Sequence, residues 1–187
     1  MNAKLRAWWA HRQGLDGTLS GQCASEVLAR TGWARSVGGA APYLTLFSRA
    51  SLSRSAVDLA VAETSIQELP AARGCTYVLP SADYPIGLKA GQSFTENENR
   101  AAAKLGVTDE ETSRLRSAIL KALASGPLDT EAIRMAVGAA ARGLGTEGAQ
   151  KGISTTLPVA LGSMQSEGEI RRIPVNGRLD GQRYKYT

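Results

Sequence analysis

What most constrains this chain is a change of hydrophobic period that happens twice. Up to residue 63 apolar side chains recur at helical spacing. At Ile66-Gln67-Glu68-Leu69 and Cys75-Thr76-Tyr77-Val78-Leu79 the pattern turns extended, with Pro70-Ala71-Ala72-Arg73-Gly74 between the runs. Two β-favouring runs joined by a Pro- and Gly-bearing segment of about five residues read as a hairpin. The order returns in the second half, where helical segments give way to Glu169-Ile170-Arg171-Arg172-Ile173 and Arg183-Tyr184-Lys185-Tyr186, flanking the turn-rich stretch Pro174 to Gln182. The two halves share an order of elements but no residue repeat.

The helices carry their own start and stop signals. Leu5, Trp8, Trp9 and Arg12 place a helix over residues 3–13, stopped by Gly14. Further helices are expected over 24–30, over 42–47 behind Pro42, and over 54–63 behind Ser53, the last with Val57, Leu59 and Val61 inward. Residues 81–106 read as helix broken near Gly91. Thr108-Asp109-Glu110-Glu111 opens a helix through Leu115, Ile119, Leu120 and Leu123 that ends at Gly126-Pro127, and Asp129 caps the next. Gly143 to Gly152 reads as a flexible loop, followed by a helix from Ser154-Thr155-Thr156 to Ser166. Helices followed by a hairpin make a winged helix-turn-helix pattern. The expected fold is mostly α with small β-hairpins (α+β), as tandem winged helix-turn-helix domains over residues 1–94 and 95–187.

Composition removes several function classes. Cys23 and Cys75 stand far apart with no second Cys or His beside either, so zinc-ligand spacing is lacking and both read as reduced core thiols. His11 is the only histidine, which excludes any metal site or triad that needs two. Gly143-Leu144-Gly145-Thr146-Glu147-Gly148 matches a dinucleotide fingerprint in letters, but helical Ala139-Ala140-Ala141-Arg142 precedes it where a strand is required. No metal, cofactor or small-molecule ligand is expected, and no catalytic residue emerges from the pattern. No apolar run reaches the length of a signal peptide core or a membrane span, so the expected location is cytoplasmic. Trp8, Trp9 and Trp33 read as core packing rather than base stacking.

The net charge of +5 is concentrated at the end of the chain, where Lys151, Arg171, Arg172, Arg178, Arg183 and Lys185 outnumber Glu167, Glu169 and Asp180. Ser154, Thr155 and Thr156 offer hydroxyls and free amides at a helix start, a geometry suited to phosphate. The expected partner is double-stranded DNA, contacted by Lys151, Ser154, Thr155, Thr156, Arg171, Arg172, Arg178, Arg183 and Lys185, with Arg73 on the first hairpin.

Arg73-Gly74-Cys75-Thr76-Tyr77-Val78-Leu79-Pro80-Ser81-Ala82-Asp83 resembles a segment of the winged-helix DNA-binding family that includes the AlkZ and YcaQ crosslink-unhooking DNA glycosylases. The likeness extends to Arg12-Gln13-Gly14-Leu15, Leu46-Phe47-Ser48-Arg49, and Glu167 to Arg172 with Tyr184. It implies tandem winged helices, followed in the family by a C-terminal β-rich domain that this sequence does not contain, so a fragment or a shortened relative is expected. The family's excision chemistry uses Gln-x-Gln or Gln-x-Asp shortly after the second helix. Thr31-Gly32-Trp33-Ala34-Arg35-Ser36-Val37 holds that place here, with neither Gln nor a carboxylate. The reading is therefore a DNA-binding relative that does not excise bases. Its alternatives are a glycosylase using another residue, such as Glu26, Asp16 or His11, and a winged-helix scaffold that binds protein.

Overall fold

The computed structural model describes residues 2–181 and 183–187. Gln182, the last residue of the expected second turn, lies outside the described residues, as does Met1. The fold is α+β, mostly helical with small antiparallel sheets. By internal contacts the chain forms two compact units, Met1–Gly87 with Pro174–Arg183, and Leu88–Ile173 with Tyr184–Thr187. This differs from the expected division at residue 94 in two respects. The first crossing point is Gly87, and the turn-rich stretch of the second hairpin belongs to the first unit.

The first unit contains α1 (Ala3–Arg12), α2 (Ala24–Thr31), α3 (Ala41–Ala50) and α4 (Arg54–Ala62). Its sheet is a two-residue β1 (Ala34–Arg35) added to the hairpin of β2 (Ile66–Pro70) and β3 (Thr76–Pro80), in the order β1-β3-β2. β2 and β3 pair antiparallel over five residues, Glu68 opposite Val78 and Leu69 opposite Tyr77. The core gathers Val27, Leu28, Leu46, Val57, Ile66 and Val78, together with Leu179 from the late segment. α4 buries Val57 and Ala60, whereas Leu59, expected inward, is exposed, because a helical turn places it away from Val57.

Two other groups expected in the core lie nearer the surface. Trp8 and Trp9 are each 55% exposed and α1 buries no residue at all, so neither is a core side chain. Cys23 is a free thiol exposed at the start of α2 and Cys75 a half-buried one, so neither is a core thiol.

A long α5 (Tyr84–Lys104) runs unbroken through Gly87 and Gly91. A Cβ at Gly87 would lie 2.8 Å from Leu69 Cδ2 and 2.9 Å from Leu79 Cδ2, so glycine there serves close packing on the sheet rather than a break. The second unit continues with α6 (Asp109–Leu123), α7 (Thr130–Val137), α8 (Gly145–Gln150) and α9 (Thr156–Ser166). Thr108 Oγ1 accepts from Glu111 N and Asp129 Oδ1 from Ala132 N, the two caps read from the sequence. The stretch expected as a flexible loop holds α8, with Gly148 buried against Leu144 and Ile153 where no Cβ would fit. Leu115, Ile119, Ile133, Leu157, Leu161, Met164 and Ile170 form its core. β4 (Arg172–Pro174) and β5 (Tyr184–Tyr186) make a two-stranded sheet, and Leu128 bridges to Tyr186 by two backbone hydrogen bonds.

Candidate nucleic-acid interface

The hydroxyl-bearing helix start is only partly open. Thr155 is the residue before α9 and makes no side-chain cap, and its backbone bridges to Gly143. Thr156 N donates to Arg142 O at 3.1 Å, and the Thr156 side chain is buried, its Oγ1 without a partner among the described residues. Ser154 is exposed and Thr155 half-buried. Lys151 does not point at this start, because its Nζ binds Glu147 Oε1 at 2.7 Å one turn back. α9 itself is buried over Thr156, Leu157, Ala160, Leu161 and Ser163 to Ser166, leaving Pro158 exposed. A helix apolar on nearly every side packs inward on nearly every side. The strip left to approach a groove is narrow.

The arginines fall into two groups. Arg171 is fastened by paired backbone hydrogen bonds with Thr187, and the Arg172 guanidinium lies 4.3 Å from the centroid of the Tyr184 ring; both are half-buried. Arg178 grips Asp180 with two hydrogen bonds, Nε to Oδ1 at 2.9 Å and Nη2 to Oδ2 at 2.7 Å, and Arg54 Nη2 lies 3.4 Å from the same Oδ2. The hydrogen bond from Arg178 holds the Asp180 carboxyl below the usual range, so this arginine's charge is answered locally. Arg183 and Lys185 are exposed, with no ion-pair partner among the described residues. Arg73 is exposed too, at the tip of the first hairpin with a left-handed φ of 59°.

The segment that stands where the family resemblance places its amides is a structural one. Ala34 lies opposite Val78 and is buried. Ser36 N donates to Thr76 O, and its buried hydroxyl donates to Glu68 Oε1. Trp33 Nε1 donates to Asp83 Oδ2 at 2.8 Å and packs edge-on against Tyr77. Glu68 is a carboxylate that sequence reasoning missed, since β2 brings it to Ser36 from 32 residues away. Its signal was weak: an acid at an inward position of the alternating run Ile66 to Leu69. It is 3% exposed and closed to a bulky substrate.

The other acid/base candidates are on the surface. His11 Nδ1 and Asp16 Oδ2 are 2.8 Å apart, and Asp16 Oδ1 accepts from Thr18 Oγ1 at 2.7 Å. Hydrogen bonds from Thr18 and His11 hold the Asp16 carboxyl down at about 2, ionised throughout the ordinary pH range. Glu26 is occupied with the amide of Cys23 at 3.1 Å, closing the start of α2. Among the described residues no group of three or more His, Cys, Asp or Glu could hold a metal ion, and no helix is long and apolar enough to cross a membrane.

The family model for AlkZ-like DNA glycosylases matches residues 28–187, and the chain belongs to that family. The solved structure of the DNA glycosylase AlkZ from Streptomyces sahachiroi is similar to it, with a TM-score of 0.68 and 20% sequence identity over all of this chain and 50% of that one. That likeness is one of fold, and this chain spans about half the length of the structure it matches. No curated protein matches it in sequence.

Proposed function

We propose that the chain binds double-stranded DNA in the cytoplasm through two winged-helix modules and does not excise bases. The observation that carries the non-excising part is the fate of the Thr31 to Val37 segment. A glycosylase needs a group that positions water and steadies the developing sugar cation beside an extruded base. Here Ala34 and Ser36 are buried, and Ser36 is committed to Glu68. DNA binding is supported by membership of the family and by the exposed charges of Arg183, Lys185 and Arg73, which have no ion-pair partner among the described residues. The test is duplex binding from low to moderate salt, alongside abasic-site formation on alkylated DNA. Salt-sensitive binding without abasic sites is expected. Absence of duplex binding at low salt favours the protein scaffold.

One observation favours excision by another residue. Thr18 and His11 together hold the Asp16 carboxylate as a fixed anion at the surface, and a fixed anion is the kind of group that steadies a sugar cation. Abasic-site formation abolished by Asp16→Asn, with duplex binding intact, would establish that reading.

A further inference from the structure

We infer that α1 is a nucleic-acid contact in its own right, one that takes bases whose faces are open, as in an unpaired, bulged or extruded strand. The inference rests on the DNA-binding reading above and names which form of DNA this helix meets. A surface helix ordinarily turns its large apolar side chains inward. α1 does the reverse. At 100° per residue, Leu5, Trp8, Trp9 and Arg12 share one side and Ala3, Ala7 and Ala10 the other. Leu5 is 52% and both indoles 55% exposed, and of the alanines only Ala10 is even half-buried. Asn2 Oδ1 caps the helix by accepting from Lys4 N at 2.9 Å, so its start is held locally, not by burial.

Charge selects the occupant. Between Ala3 and Arg12 there is no acidic residue, while Lys4, Arg6 and Arg12 have no ion-pair partner among the described residues. The two indole centroids are 6.2 Å apart with planes tilted by 38°, so each ring offers a separate face to solvent. Trp33 makes the contrast, since its ring is half-buried and its Nε1 engaged by Asp83. Exposed aromatic faces among cations, with the nearby Asp16 carboxylate taken up by His11 and Thr18, match a strand of bases and phosphates, because bases stack on the rings while phosphates meet Lys and Arg. In intact duplex the base faces are covered by their neighbours, so stacking of this kind requires an unpaired or extruded base. The helix precedes residues 28–187, the part matched by the family, so this contact is not one that the family match supplies.

The test compares an oligothymidine strand, a fully paired duplex and phosphatidylserine vesicles as probes of the full chain and of Trp8→Ala with Trp9→Ala. Removing these rings takes nothing from the core, and Trp8→Tyr with Trp9→Tyr serves as the conservative control that keeps stacking. The expected result is a loss of about tenfold or more in affinity for the single strand, largely restored by the tyrosine pair, with duplex affinity changed by less than about twofold. The single strand should also quench indole fluorescence in a Trp33→Phe protein. Unchanged single-strand affinity with duplex binding intact would overturn the inference and leave the DNA reading standing. Failure of the parent to bind either DNA at low salt would overturn both. Vesicle binding that depends on the two tryptophans, with single-strand affinity unchanged, would reassign α1 to a membrane surface.

Discussion

The two hairpins use the same turn and put it to different ends. After Pro70 the chain makes a short helical turn, Ala72–Gly74, with Arg73 at φ 59° and Gly74 at φ 65°. After Pro174 it makes another, Val175–Gly177, with Asn176 at φ 61° and Gly177 at φ 68°. The first turn leads directly into β3, which pairs with β2 over five residues and with β1 on its other edge. The second leads into Arg178, Leu179 and Asp180 before β5 begins. Leu179 is 1% exposed in the first unit's core, and its amide donates to Tyr43 Oη at 3.1 Å. Tyr43 in turn donates to Asp58, and the Arg54 guanidinium lies 5.7 Å from the centroid of its ring. A hairpin signal thus establishes a reversal of the chain and leaves open what the loop does. The first loop is a tip in solvent, whereas the second is a structural anchor.

The two loops differ most at Leu179. Leu179→Ala should destabilise the first unit by about 2–5 kcal/mol, the cost of truncating a fully buried leucine, although it lies in a segment composed like a loop. Urea unfolding followed by indole fluorescence reads this, since Trp8, Trp9 and Trp33 all belong to that unit. A change of a few tenths would mean the segment is not anchored.

These same residues show what the sequence could and could not disclose. The caps at Thr108 and Asp129 and the strands of the first hairpin were legible because each depends on neighbours within a few residues. Leu179 was not, since Pro-Val-Asn-Gly-Arg-Leu-Asp-Gly contains one leucine and no periodicity; its burial depends on Tyr43, 136 residues earlier. The unbroken α5 was hidden for a related reason, as Gly91 reads locally as a break, while the helix continues through it and packs Gly87 closely on Leu69 and Leu79 of the sheet. The candidate site was legible as a list of cations but not as a pattern of partners. Nothing in the spacing of Arg178 separates it from Arg183, yet one is held by Asp180 and the other is not. The outward tryptophans of α1 follow the same rule, because helical spacing shows that Leu5, Trp8, Trp9 and Arg12 share a face without showing which way the face points.

Tyr43→Phe loosens the same anchor. It leaves the buried Leu179 amide without its acceptor and Asp58 without its donor, at a cost of about 1–3 kcal/mol. Burial, and then the hydrogen bond to Asp58, push the Tyr43 hydroxyl up to about 12. The folded state therefore holds this proton more tightly than the unfolded chain does. The contribution is complete below pH 10 and is lost as pH rises from there through 12. Melting temperature against pH should show this alkaline loss in the parent, and the loss should shrink in the phenylalanine variant.

The smallest effect concerns the shared turn itself. Arg73 occupies a left-handed conformation that costs a bulky residue more than it costs asparagine, so Arg73→Gly should stabilise by about 0.5 kcal/mol and Asn176→Gly by less. Equal effects in denaturant unfolding would show that the two turns are not distinguished by their central residue.

The most direct measurement of the central claim is the salt dependence of duplex binding, read for the parent, for Arg183→Ala with Lys185→Ala, and for Arg178→Ala. Each phosphate neutralised adds about 0.9 to the slope of log affinity against log salt, so removing the two unopposed cations should flatten it by roughly 1.8, with a loss nearly uniform across duplex sequences. Arg178→Ala should leave the slope almost unchanged, because its charge is answered by Asp180. An unchanged slope in the double variant, or no duplex binding by the parent at low salt, would contradict the account.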